Sequence, residues 1–238
     1  MTGYEKLMSI IAVPEGWLLT LIYNFVSNYG LTLIIFTLLI RGCLLPLYAT
    51  QIKGSMKMQD IQPKMMEIQR RYANDRAMMS QKLSELYKEE KYNPMSGCLP
   101  MIIQMIIIMP LFFLLRDPML FINNQSMLMG VHESFLWIED MSQPDSWILP
   151  VAAGVATFVS YSLTMSMSPS VNGTMGMMKV MSFFFPIMIF WMARSFPAGL
   201  ALYWFVGTCF MIVQTLIMKK YRKNLKEKKK VGKAVKTA

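Results

Sequence analysis

The sequence predicts an all-α polytopic membrane protein: five transmembrane helices around a hydrophilic groove, with a cytoplasmic helical hairpin and an N-terminal interfacial helix. Three observations carry that prediction. Hydrophobic residues make up 54% of the 238 and charged residues only 16%, against roughly 25% charged in an ordinary soluble domain. Five apolar stretches, at 30–50, 95–115, 147–167, 175–193 and 200–218, are each long enough to cross a bilayer; as helices rising 1.5 Å per residue they measure roughly 27–32 Å. The charges, net +10, gather between the stretches in blocks of alternating sign. This composition excludes a disordered chain, which needs low hydrophobicity. It also excludes a small soluble domain, which exposes too much surface to hide so much apolar material.

Residues 1–29 open the chain. The apolar run 7–13 is short and is followed by Pro14 and Glu15 in place of a small-residue cleavage site, so no signal peptide is expected and the chain is read as retained whole. Leu18, Leu19, Ile22, Tyr23, Phe25 and Val26 are apolar, Asn24 and Asn28 interrupt them, and Trp17, Tyr23 and Tyr29 suit a membrane interface. The segment is read as an amphipathic helix on the outer face; the competing reading extends the first span toward the N-terminus.

After the first span, 51–94 carries nine basic and six acidic residues. Ile61, Met65, Ile68 and Tyr72 recur at helical spacing, as do Met79, Leu83, Leu86 and Tyr87, with Asn74 and Asp75 supplying a turn. This is a helical hairpin. Its stripes would ordinarily pack the two helices together, yet a hairpin so small does not bury all of Met56, Met65, Met66, Met78 and Met79. Adaptable methionines on its open faces mark it as a recruiting surface for a hydrophobic partner.

The loop 116–146 carries five acids beyond Arg116 and no further Lys or Arg, whereas the tail 219–238 carries ten basic residues and one acid. The positive-inside rule places the hairpin, the 168–174 loop and the tail in the cytoplasm, and the acidic loop outside. Five spans then put the N-terminus outside and the C-terminus inside. Residues 194–199 form a tight outside turn through Pro197 and Gly199.

Cys43, Cys98 and Cys209 lie in or beside apolar runs without paired spacing, which predicts small core residues rather than disulfides or a zinc site. His132 is the sole histidine. No cofactor, metal or catalytic residue is expected, and the chain is not read as an enzyme.

Arg41 carries the chemistry. It sits mid-span, about nine residues from Thr50 and thus roughly 13 Å along the helix, too far to snorkel easily. An arginine at that depth costs about 2.5–3.5 kcal/mol on insertion scales, so it is expected in a water-filled notch. The five spans contain no Asp or Glu, and an intramembrane cation of this kind draws acidic groups from elsewhere. Thr37 lies one turn earlier on the same face. Gln104, Ser160, Tyr203 and Trp204 complete the candidate lining; individually such groups are more often ordinary interhelical contacts. Channels offer acidic rings or filter loops, and proton-coupled transporters offer intramembrane carboxylates or histidines; neither is visible. A lipid- or solute-handling protein, such as a scramblase or pore, remains the competing class, with a structural subunit of a secretion assembly behind it.

Four motifs then stand in order: NYGLTLIIFTLLIRGCLLPL (28–47), QPKMMEIQRRY (62–72), YNPMSGCLPMIIQM (92–105) and FPAGLALYWFVGTCF (196–210). Over nearly its whole length the chain resembles the YidC family of membrane-protein insertases, in the form without the large periplasmic domain of some relatives. The resemblance implies a five-helix core around a groove open to cytoplasm and lipid. The family's groove arginine falls on Arg41, its preceding threonine on Thr37 and its last-span aromatic pair on Tyr203 and Trp204; Ser160 stands where many relatives carry glutamine. The partners implied are nascent membrane proteins, a Sec translocon, and, at the basic tail, the ribosome or anionic lipids. The location implied is a bacterial plasma membrane.

Overall fold

The structure is a computed structural model and describes residues 3–93, 99–122, 124–167 and 175–237. Helix α1 (Gly3–Val26) ends where Ser27 enters the left-handed region at φ 50°. Asn28 then turns extended, and its side chain accepts the Leu31 N–H at 3.0 Å, capping α2 (Tyr29–Cys43). Along α1, Ala12, Glu15, Leu19 and Ile22 are buried at spacings of three and four, while Ile10, Val13, Trp17 and Leu21 are exposed on the other face.

The window Ser9–Val26 of α1 is long and apolar enough to cross a membrane. It packs chiefly against α2 and the helix Leu99–Arg116, and also touches the segment that follows that helix. A methyl on Gly16 would meet the Leu114 side chain and the Phe121 carbonyl. Thr20 donates to Met127 Sδ at 3.1 Å, and the Tyr23 hydroxyl donates to Glu133. Glu133 also accepts the Tyr29 N–H at 2.8 Å, tying the α1–α2 corner to the same loop. Hydrogen bonding to Glu133 pushes the Tyr23 hydroxyl up to about 12.

At Leu44 the chain bends, because Pro46 in the first turn of α3 (Leu45–Arg71) has no N–H to continue the ladder of α2. Helix α3 is 27 residues long, roughly 40 Å, and runs from the bend after α2 directly into the hairpin. Asp75 accepts the Met78 N–H at 2.9 Å and caps α4 (Arg76–Glu89). Ile61, Met65 and Leu86 form the hairpin's own core, with Ile68, Leu83, Tyr87 and Tyr92 packed around it. Lys64 and Glu90 pair across its open end; being exposed, that pair contributes little.

Four further long helices follow: α5 (Leu99–Arg116), then, after the short α6 (Gln125–Gly130), α7 (Ile148–Met167), α8 (Met175–Ser195) and α9 (Ala198–Thr237). Packing runs from α8 to α7, α7 to α9, α9 to α2, α2 to α1 and α1 to α5; α5 and α8 each touch α9 only sparsely. At Gly154 α7 lies in van der Waals reach of Pro186 and Phe190 on α8. Helix α9 does not stop at the end of its apolar window at Tyr221 but continues through the basic tail.

Among the described residues the fold is all-α, and its outward faces are apolar. Ile35, Val155, Phe183, Phe184, Val213 and Ile217 are all exposed, a surface that water would not tolerate but lipid does. Cys43 is exposed and Cys209 half-buried, and both are free thiols. Cys43 is thus no core residue, because it leaves α2 on the outward side. Cys98 lies outside the described residues.

Candidate functional site

The interior of the helix bundle holds buried polar side chains from four helices. Arg41 and Thr37 come from α2, Thr157 and Ser160 from α7, Ser182 from α8 and Thr208 from α9, and all are buried. Three of the hydroxyls are satisfied within their own helices: Thr37 Oγ1 donates to the Leu33 carbonyl at 2.6 Å, Thr157 to Ala153 at 2.7 Å and Thr208 to Trp204 at 2.8 Å. Back-bonded threonines keep their lone pairs for a second partner. Thr157 uses one of them, accepting the Trp204 indole N–H at 3.3 Å and joining α7 to α9.

Gly207 positions the arginine. A methyl built there would sit 2.8 Å from one Arg41 guanidinium nitrogen, 3.2 Å from Nε and 3.4 Å from Cζ. The planar guanidinium therefore lies directly against the α9 backbone, in space that any other residue would fill. The sequence points to a water-filled notch around this charge; the structure instead leaves Arg41 only 4% exposed. The physical reason is local. A glycine on α9 lets α2 approach so closely that the α9 backbone covers the guanidinium.

Other expected positions divide. Thr37 and Ser160 are buried in this interior, and the Ser160 carbonyl accepts the Thr164 hydroxyl at 2.9 Å. Tyr203 is buried in the apolar core beside it, while Trp204 is half-buried and faces α7. The side chain of Gln104 lies outside the described residues, as does that of Met56. Met65 is corrected: it is buried between α3 and α4 because it occupies the stripe shared with Ile61, and it is no open-face residue. Met78 is exposed, and Met66 and Met79 are half-buried. Met66 lines a concavity of about 530 Å³ with Pro63, Glu67, Arg70 and Arg71.

Sequence reasoning missed Thr157, Ser182, Gly207 and Thr208. The available signal was small polar residues at helical spacing from recognised ones, Thr157 three before Ser160 and Thr208 four after Trp204. No group of three or more His, Cys, Asp or Glu able to hold a metal exists among the described residues.

A family model described as "60Kd inner membrane protein" matches residues 21–227. The chain belongs to that family. It is 40% identical over 221 residues to the "Membrane protein insertase YidC" of Oceanobacillus iheyensis, a match covering 89% of this chain and 83% of that one. A protein of the same name from Shewanella baltica is 39% identical over 210 residues, covering 87% of this chain but 36% of the relative; the chain spans about a third of that longer protein. A solved structure titled "Active YidC insertase crystal structure with the first transmembrane domain resolved" superimposes with a TM-score of 0.61 at 26% identity, covering 90% of this chain and 47% of that one. Membership of the 60Kd family and this structural likeness agree with the apolar outward faces of α2, α7, α8 and α9.

Proposed function

We propose that this protein is a membrane-protein insertase, moving hydrophobic segments of nascent chains from the cytoplasm into the bilayer. The observation that carries the reading is the buried Arg41 seated against Gly207, in an interior that also buries Thr37, Thr157, Ser160, Ser182 and Thr208, in a chain 40% identical to a named insertase. A client's hydrophobic stretch partitions into lipid unaided; its polar or acidic flank is what costs free energy to carry across. A low-dielectric site with a fixed cation lowers that cost, since attraction to a carboxylate is stronger there than in water. The sparsely packed seams of α9 with α5 and α8 are where the helices part to admit the flank.

The remaining parts take roles around this event. Helix α1 lies at the outer interface, touching the loop between α5 and α7, and the five spans are the helices built on α2, α5, α7, α8 and the first half of α9. The N-terminus is then outside and the basic end of α9 in the cytoplasm, where its helical rod of lysines meets ribosomal RNA or anionic headgroups. The hairpin α3–α4 offers Met66, Met78 and Met79 to the incoming segment, and a Sec translocon is a further partner for clients with larger translocated parts.

Reconstitution tests the function. Purified protein in liposomes should raise the protease-protected fraction of a small radiolabelled membrane protein several-fold over empty liposomes, without accelerating movement of labelled lipid between leaflets. Lipid movement without client insertion would replace this reading with that of a scramblase.

A further inference from the structure

The segment 135–138 is an unusual turn. The Phe135 N–H bonds to the Ile138 carbonyl at 2.8 Å and the Ile138 N–H returns to Phe135 at 2.9 Å, leaving Leu136 and Trp137 alone at the tip. Leu136 has φ 55°. Two-residue turns of this kind normally place Gly, Asn or Asp in the left-handed region, where a branched apolar side chain is strained. Leucine offers the backbone nothing there, so the position is explained by its side chain. That side chain is 75% exposed, and Trp137 is 46% exposed.

Both arms of the turn are rooted on span ends. The Phe135 ring lies on Gly30 in the first turn of α2, so close that no side chain could stand at that glycine. Ile138 is buried. The Trp137 indole N–H donates to Asp145 Oδ2 at 3.2 Å, and the same oxygen accepts the Leu149 N–H at 2.6 Å in the first turn of α7. The tip is therefore held at the level where α2 and α7 begin. Exposed apolar side chains continue from it down both helices, Leu31 and Ile35 on α2 and Ile148 and Val151 on α7. Tryptophan with its N–H on a polar partner and its ring exposed suits a membrane interface, where one end of the side chain is wet and the other apolar.

We propose that Leu136 and Trp137 form a wedge inserted into the outer leaflet, at the boundary between headgroups and acyl chains. The proposal rests on the reading of α2 and α7 as membrane spans. The occupant is lipid rather than a protein because the tip continues two outward apolar faces that only lipid covers, while the acids Glu139 and Asp140 follow at once on the watery side. A rigid wedge beside the outer ends of the spans disorders lipid where a translocated flank emerges.

The test uses the full chain with Cys43, Cys98 and Cys209 each replaced by Ser, carrying an environment-sensitive fluorophore at Leu136→Cys, Glu139→Cys or Val213→Cys, reconstituted into phosphatidylethanolamine–phosphatidylglycerol liposomes. Quenching by shallow nitroxide-labelled lipid and by aqueous iodide is measured. Position 136 should be quenched several-fold more by the lipid than position 139, and several-fold less by iodide. If 136 behaves like 139, or is shielded from both quenchers as at a protein contact, the wedge is overturned while the spans stand. If the lipid fails to quench 213 as well, the spanning reading falls and the wedge with it.

Discussion

A guanidinium at bilayer depth persists only where its surroundings offset the cost of about 2.5–3.5 kcal/mol. Here the α9 backbone at Gly207 covers it, and Thr37 lies one turn away on the same helix. Gly207→Ala should push the guanidinium off the α9 backbone; the displaced group ends a flexible side chain and alanine favours the helix by about 1 kcal/mol, so the expected outcome is a melting temperature in detergent that changes little together with reduced client insertion. Unchanged insertion would show the close approach to be immaterial. Glu15 makes a second prediction. It is buried on the docked face of α1, with Oε2 unpartnered, and burial pushes it up to about 8 from an ordinary 4.5. Between those values the folded protein holds a proton that the unfolded chain has released, so stability should fall as pH rises through that window. Glu15→Gln, which keeps the shape without the charge, should flatten the dependence; a variant as pH-sensitive as the parent would assign the effect to another group. At this scale the sequence exposed Arg41, because one charge in an apolar run is conspicuous. It did not expose Gly207 or Thr157, because contacts between separate helices leave no mark on spacing within either one.

Elements were more legible than their joints. The 3.6-residue stripes of the hairpin named Ile61, Ile68, Leu83 and Leu86, and these do pack together. The first stripe also holds Met65, a methionine expected on the open face as well; the packing settles it inward beside Ile61 and leaves its neighbour Met66 half-buried. Two substitutions separate the roles. Met65→Ser should destabilise the hairpin by about 2–5 kcal/mol, as other core truncations do, seen as faster proteolysis of 51–92. Met66→Ser with Met78→Ser and Met79→Ser should leave proteolysis unchanged and reduce crosslinking to nascent chains; the reverse pattern would remove the recruiting role. Helix ends also escaped the hydropathy pattern. Pro46 shifts the break inside the first apolar stretch, so that α3 carries the end of that stretch into the hairpin as one rod. Lysine and glutamate are good helix formers, so α9 carries on through what reads as a tail.

For the whole molecule, hydropathy and charge asymmetry led to an all-α membrane fold, and the family match over residues 21–227 and the structural likeness to an insertase agree with it. The packing order was not legible, because apolar stretches of similar composition do not announce their neighbours. That order packs α9 against both α2 and α7, and the account turns on whether the buried polar side chains they carry handle the client's charge. The decisive measurement is a double-mutant cycle on insertion into liposomes. Two clients differing only in one acidic residue on the translocated flank, Asp or Asn, are each offered to the parent protein, to Arg41→Ala and to Arg41→Lys. The account predicts that Arg41→Ala inserts the Asp client several-fold less well while sparing the Asn client, and that Arg41→Lys retains much of the activity toward both. Equal loss for the two clients, or no loss for either, would contradict it.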